Sequence, residues 1–230
     1  MRVTTGLLRI GILTIILVIA LAMTIVAISP GQRSSDTAKE KLEEKREKEE
    51  NKKHAWGEGR LKPGDPAPDF DLKKVDSDER VRLSALVGKP VALVFGTYSC
   101  PPFRDHVPAL NGMARMYKNK VEFLLIYVRE AHPADGWQVD DNEKEYVIIP
   151  EPTSANEKEN HASMCVRNLD IRFTTLIDGM DNKTERDYSG WPDRLYLIGK
   201  DGRVAWKGAP GPKGFVPPEL AVAIETELER

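Results

Sequence analysis

Cys100 stands between an apolar run, Val91-Ala-Leu-Val-Phe95, and the pair Pro101-Pro102. Proline is tolerated in the first turn of a helix, where its missing N–H costs nothing. The run therefore reads as a buried strand and the prolines as a helix start, with the cysteine at the junction. Unpaired N–H groups and the positive end of the helix dipole favour a thiolate at that position. Magnitudes show that the effect is large enough to matter. At a pKa of ~8.5 about 3% of a thiol is ionised at pH 7, and lowering it by ~2 units takes ~2.7 kcal/mol. A helix terminus plus one cation at ~4 Å can supply this, the charge pair alone giving about 4 kcal/mol at an effective dielectric of ~20. The expected chemistry is nucleophilic attack by Cys100 on a soft electrophile such as a peroxide oxygen or a disulfide sulfur. The competing reading is a buried structural cysteine.

Each of those attacks leaves an oxidised sulfur that must be reduced again. Cys165 is the only other cysteine and a candidate resolving thiol. Its setting on a predicted helix, between Met164 and Val166, fits a buried side chain equally well. Without resolution an external thiol reductant is needed, a thioredoxin-like protein for example; no bound cofactor is expected. His132 lies just past the apolar strand Val121–Tyr127, at the strand end where open α/β sheets place their sites. It could act as a proton donor to substrate, with Glu130 orienting its ring, or it could be a surface histidine paired with a carboxylate. Trp137, with Trp191 and Tyr188, could line an aromatic groove or pack in the core. The histidines lack metal-ligand spacing, so no metal site is expected.

The elements that would hold these residues follow from the pattern. Short strands are expected near residues 71 and 81–83, then the core strand 91–95, a helix over 102–118 kinked at Pro108, and the core strand 121–127. Strand, helix and strand make a right-handed βαβ unit. Ser154-Ala-Asn-Glu157 is a capping box opening a helix to about residue 169, and Thr175–Ile177 is a short strand. Arg194–Ile198 and Arg203–Lys207 flank Gly199-Lys-Asp-Gly202 as a hairpin, and a helix from Pro217 to Glu229 closes the chain. This order is an α/β, thioredoxin-like fold with an insertion between residues 129 and 190.

The chain has 230 residues and a net charge of −2, which gives nucleic acid no basic surface to bind. Ile10–Ile28 is free of charge and as a helix would span roughly 28 Å, close to the hydrocarbon core. Residues 1–31 are read as an uncleaved, single-pass membrane anchor rather than a signal peptide. Arg2 and Arg9 precede the run, which places the rest of the chain on the non-cytoplasmic side. Residues 36–54 hold acidic and basic side chains in equal number and almost nothing apolar. Residues 32–60 are therefore a charged stalk, and 61–230 form one domain large enough to bury a core.

Five segments resemble the iodothyronine deiodinases: Phe95-Gly-Thr-Tyr-Ser-Cys-Pro-Pro-Phe103, Ile126-Tyr-Val-Arg-Glu-Ala-His-Pro-Ala-Asp-Gly-Trp137, Asp178-Gly-Met-Asp-Asn182, Pro192-Asp-Arg-Leu-Tyr196 and Gly208-Ala-Pro-Gly-Pro212. The resemblance implies that Cys100 occupies the position of the animal enzymes' selenocysteine. It also implies that Glu130, His132 and Arg194 are active-site residues, that Tyr127, Ser99 and Trp137 contact substrate, and that the protein is a homodimer acting on a halogenated aromatic. Tyr98 stands where several animal members have a cysteine, and His161 is the only histidine after Trp137. Thr97, Cys100 and Arg194 are also similar to the peroxiredoxin set that holds a peroxide, which implies a peroxidase as the alternative. A non-catalytic anchored scaffold is the third reading.

Overall fold

The structure, a computed structural model, describes residues 57–230. The proposed anchor and most of the charged stalk lie outside the described residues. Among the described residues no helix is long and apolar enough to cross a membrane.

Seven strands form one sheet in the order β2-β1-β5-β4-β3-β6-β7. At its centre β3 (Val91–Gly96) runs parallel to β4 (Glu122–Tyr127), joined by helix α1 (Pro101–Met116). On its other side β3 is antiparallel to β6 (Arg194–Ile198), which turns into β7 (Val204–Lys207). The final helix is α5 (Pro217–Leu228). Two antiparallel strands, β1 (Asp71–Lys74) and β2 (Arg80–Arg82), extend the far edge through β5 (Thr174–Ile177). Between β4 and β6 the insertion carries α2 (Asp140–Lys144), α3 (Ala155–Asn168), β5 and α4 (Lys183–Tyr188).

Every residue of β3 is buried, which is why its sequence is continuously apolar rather than alternating. Period-two geometry divides its side chains between two cores. Ala92 and Val94 join α1 and α5 residues such as Phe103, Leu110 and Leu220 on one face. Leu93 and Phe95 join Tyr188 and Tyr196 on the other. Each fully buried Leu or Phe contributes about 2–3 kcal/mol, so these two layers dominate the stability.

The expected βαβ unit, hairpin and closing helix are present. Helix α3 is capped as the Ser154 signature predicts, with Ser154 Oγ accepting the Glu157 N–H at 3.2 Å. Glu157 answers one residue earlier than in a standard capping box, accepting the N–H and hydroxyl of Thr153, both at 2.7 Å. The short helices α2 and α4 were not anticipated.

Candidate active site

Gly96 ends β3 with its Cα almost against the Phe103 ring; a Cβ there would lie 2.5 Å from it. That close approach lets the first turn of α1 pack against the end of the strand. Cys100 is the N-cap of α1, in extended conformation, with prolines following in the first turn. The Phe103 N–H faces the sulfur and favours its charged form, as a helix N-terminus should. Burial overrides this. Cys100 is 2% exposed, and desolvation followed by the nearby Asp193 charge pushes its thiol well above the ordinary range. The expectation of an ionised, reachable sulfur is therefore corrected: in this state Cys100 is a covered thiol.

Behind the cysteine lies a buried polar cluster. One oxygen of Glu130 accepts the Ser99 N–H at 3.1 Å and the Ser99 hydroxyl at 2.5 Å. Its other oxygen accepts the Tyr127 hydroxyl, and that phenol oxygen in turn accepts the Tyr98 N–H at 3.3 Å. Desolvation raises the Glu130 carboxyl, and the bonds from Ser99 and Tyr127 oppose the rise by favouring the charge. His161, on α3, brings Nδ1 to 3.9 Å from Glu130 with no hydrogen-bond partner of its own. Thr97 Oγ1 accepts the Ala131 N–H at 3.3 Å. Ser99 Oγ also accepts the His132 N–H at 3.1 Å. The strand-end loop 97–100 and the start of the insertion are thus one hydrogen-bonded unit.

His132 and Trp137 sit together at the outer side of this unit. Their rings meet edge to face, with centroids 4.6 Å apart, and Trp137 is 60% exposed. His132 Nδ1 lies 3.1 Å from the Trp137 carbonyl. A carbonyl can only accept, so Nδ1 carries the hydrogen and the lone pair of the neutral ring is on Nε2. Burial lowers the His132 pKa and so favours that neutral form. The expectation that Glu130 orients the His132 ring is not met; Trp137 does so. Trp191 reaches back to the Glu130 carbonyl at 3.3 Å beneath the Arg129 guanidinium. Tyr188 packs in the core on the Phe95 face of the sheet with Trp191 against the same cluster, whereas Trp137 meets His132 instead.

Arg194 requires a second correction. It pairs with Phe95 across the sheet, so its side chain shares the face of Phe95 and not that of Cys100. It is fully buried, and its guanidinium binds the carbonyls of Gly57 at 2.7 Å and Glu58 at 3.1 Å. The Thr97, Cys100 and Arg194 set is not assembled around the sulfur. The guanidinium that favours the Cys100 thiolate is that of Arg104, one helical turn into α1. Arg104 is held by the Tyr98 carbonyl at 2.8 Å and by Glu145 at 2.9 and 3.0 Å. Its i+4 spacing from Cys100 was legible and overlooked.

Three further residues were missed. Asp193, directly after Pro192, is fully buried beside Cys100. Asn142, fully buried on α2, donates to the Ser99 carbonyl at 2.9 Å and so ties the insertion to the cysteine loop. His106 lies on α1 near Asp193, its Nδ1 2.7 Å from the Pro102 carbonyl. Cys165 is a free thiol, fully buried in the same apolar cluster as Cys100. Among the described residues no group of three His, Cys, Asp or Glu side chains is placed to hold a metal.

The iodothyronine deiodinase family profile matches residues 50–228. Thyroxine 5-deiodinase of Sparus aurata is 31% identical over 164 residues, covering 70% of this chain and 60% of that protein. The Rattus norvegicus thyroxine 5-deiodinase is 30% identical over the same length, covering 52% of that protein. The chain thus spans little more than half the length of these curated relatives. Among solved structures, a putative thiol:disulfide interchange protein DsbE from Chlorobium tepidum superposes with a TM-score of 0.51 at 23% identity, over 74% of this chain and 99% of that one. A putative protein disulfide isomerase from Bacteroides thetaiotaomicron gives 0.54 at 18% identity, over 74% and 92%. These likenesses show a thioredoxin-like fold. With the profile spanning most of its length, the chain belongs to the iodothyronine deiodinase family.

Proposed function

We infer that the protein is a membrane-anchored thiol oxidoreductase in which Cys100 removes halogen from an aromatic substrate. The observation that carries this reading is the placement of Cys100 as N-cap of α1 at the end of the central strand. Sulfur attacks iodine, the ring carbon keeps the C–I electrons and gains a proton, and Cys100 becomes a sulfenyl iodide. An external dithiol then releases iodide and restores the thiol. Neutral His132 offers Nε2 as an acceptor, suited to a phenol hydroxyl on the substrate, while Ser99, Glu130 and Tyr127 fix the loop that aims the sulfur. The exposed Trp137 ring supplies an aromatic surface beside it. Ile10–Ile28 would hold the enzyme in the membrane with this domain on the non-cytoplasmic side.

The test is iodide release from an iodinated phenol by the full chain in detergent with excess dithiol, with Cys100→Ser as control. Release that depends on Cys100 is the expected result. No release, together with rapid peroxide consumption through the same cysteine, would replace dehalogenation with a peroxidase.

A further inference from the structure

A covered thiol raises the question of where its proton goes. Asp193 answers it on several independent grounds. It is fully buried between the cis peptide at Pro192 and strand β6. Neither carboxylate oxygen accepts a hydrogen bond of good geometry from any described group. Buried carboxylates almost always have partners, and an orphan one points to a task. Its side chain lies against the Cys100 thiol, the contact through which the thiol steadies the carboxylate charge. The Gly208–Gly214 loop closes over it: a Cβ on Gly211 would fall 1.5 Å from Asp193 Oδ1, so only glycine leaves the carboxylate where it is.

We propose that Asp193 is the base that takes the Cys100 proton when the sulfur attacks and gives it back when the sulfur is reduced. The inference rests on the dehalogenation reading for its substrate, a halogenated aromatic. In the first step the S–H proton passes to the Asp193 carboxylate, S–I forms, C–I breaks, and the ring carbon takes a proton from water. Sulfur is oxidised and the ring is reduced. In the second step a dithiol becomes a disulfide, iodide leaves, and the Cys100 thiolate so formed recovers its proton from Asp193. The proton stays within the pair throughout the cycle.

The electrostatics around the pair agree with this. Burial raises the Asp193 carboxyl to about 7, with the charges of His106 and Arg194 and the Cys100 thiol restraining the rise. Cys100 is faced by Asp193 and Glu130, which oppose its ionisation, and by Arg104, which favours it. A base that titrates near neutrality matches the operating pH of proton transfer.

The experiment compares wild type with Asp193→Asn in the full chain by two readouts. Ultraviolet absorbance of the thiolate, with Cys100→Ser as blank, follows the titration of the sulfur. Iodide release against pH follows turnover. Without the opposing charge the thiol should titrate at lower pH, yet turnover at neutral pH should fall about a hundredfold. Its rise with pH should also leave the neutral range and follow the more alkaline thiol. Opposite movements of ionisation and turnover are not produced by a merely structural defect. Gly211→Ala, which displaces the carboxylate without removing it, should lower turnover in the same way, and it decides the matter if Asp193→Asn does not fold. Unchanged thiol titration and an unchanged pH profile would overturn the proposal. If wild type releases no iodide, the dehalogenation reading fails instead, and the rate of Cys100 with a small disulfide against pH takes the place of turnover in the same comparison.

Discussion

Ser99 meets Glu130 twice, through its N–H and its hydroxyl, on a single carboxylate oxygen in a site closed to solvent. Because the neighbouring Tyr127 phenol uses the other oxygen, one acidic side chain satisfies three donors around the residue preceding Cys100. Removing the acceptor therefore exposes several orphan donors together. Glu130→Ala should cost about 3–5 kcal/mol, and Glu130→Gln, which keeps one carbonyl oxygen for Ser99, about 1–3 kcal/mol. Urea denaturation of the two variants checks the order. Equal losses would show that the carboxylate does not organise the loop.

The two buried arginines should separate cleanly. Arg104 favours the Cys100 thiolate and bridges Tyr98 to Glu145. A lysine cannot make that planar fork. Arg104→Met should raise the thiol pKa and slow reaction of Cys100 with a small disulfide, whereas Arg194→Lys should leave that rate within about twofold and cost about 2 kcal/mol of stability through the lost carbonyl contacts. A thiol rate that falls only in the Arg194 variant would reverse the assignment.

These arginines also mark what the sequence could and could not disclose. Strand β3 and helix α1 were legible because an apolar run and two prolines each carry a local signal. The capping of α3 by Ser154 was legible for the same reason. The resemblance in the Glu130–Trp137 segment named Glu130 and His132, but the bonds that join Glu130 to Ser99 and Tyr127 carry no signal in the sequence. Arg194 was misplaced because facing direction depends on register: being paired with Phe95 sends it away from the sulfur, while Asp193, one residue earlier, is left beside it. Covering of Cys100 was invisible for a related reason. It comes from a cluster assembled out of α1, the central strands and α5, with Asp193 beside it, none of which is a local signal. Asn142 likewise belongs to a short helix tied to the cysteine loop by polar contacts, its own to Ser99 and that of Glu145 to Arg104, rather than by an apolar stripe.

Glu185 gives the fold a pH dependence of definite sign. Burial raises its carboxyl to about 7, against which Arg129 and Lys158 lower it and Asp178 adds to the rise. The folded state thus binds the proton more tightly than the unfolded chain. Stability from this group is fully present below the unfolded pKa and is lost as pH rises through the folded one. Between the ordinary glutamate value and about 7, the contribution should fall by roughly 3 kcal/mol. Glu185→Gln should flatten that part of the stability–pH curve. A slope unchanged by the substitution would mean that Arg129, 3.1 Å away, keeps the carboxylate charged throughout.

Cys165 provides the last test, because it separates two routes for restoring the sulfur. It is fully buried, and desolvation followed by the Glu130 charge pushes its thiol well above the ordinary range, with Arg104 opposing. A thiol held neutral is a poor nucleophile, since thiolate fraction governs exchange. The dithiol supplied from outside should therefore reach oxidised Cys100 first. Cys165→Ala should leave iodide release in excess dithiol within about twofold of wild type, while the small cavity it opens costs about 1 kcal/mol. Mass spectrometry after one turnover without dithiol completes the comparison. A Cys100–Cys165 disulfide formed faster than an added thiol reacts would make Cys165 the resolving residue and remove the need for an external partner at that step.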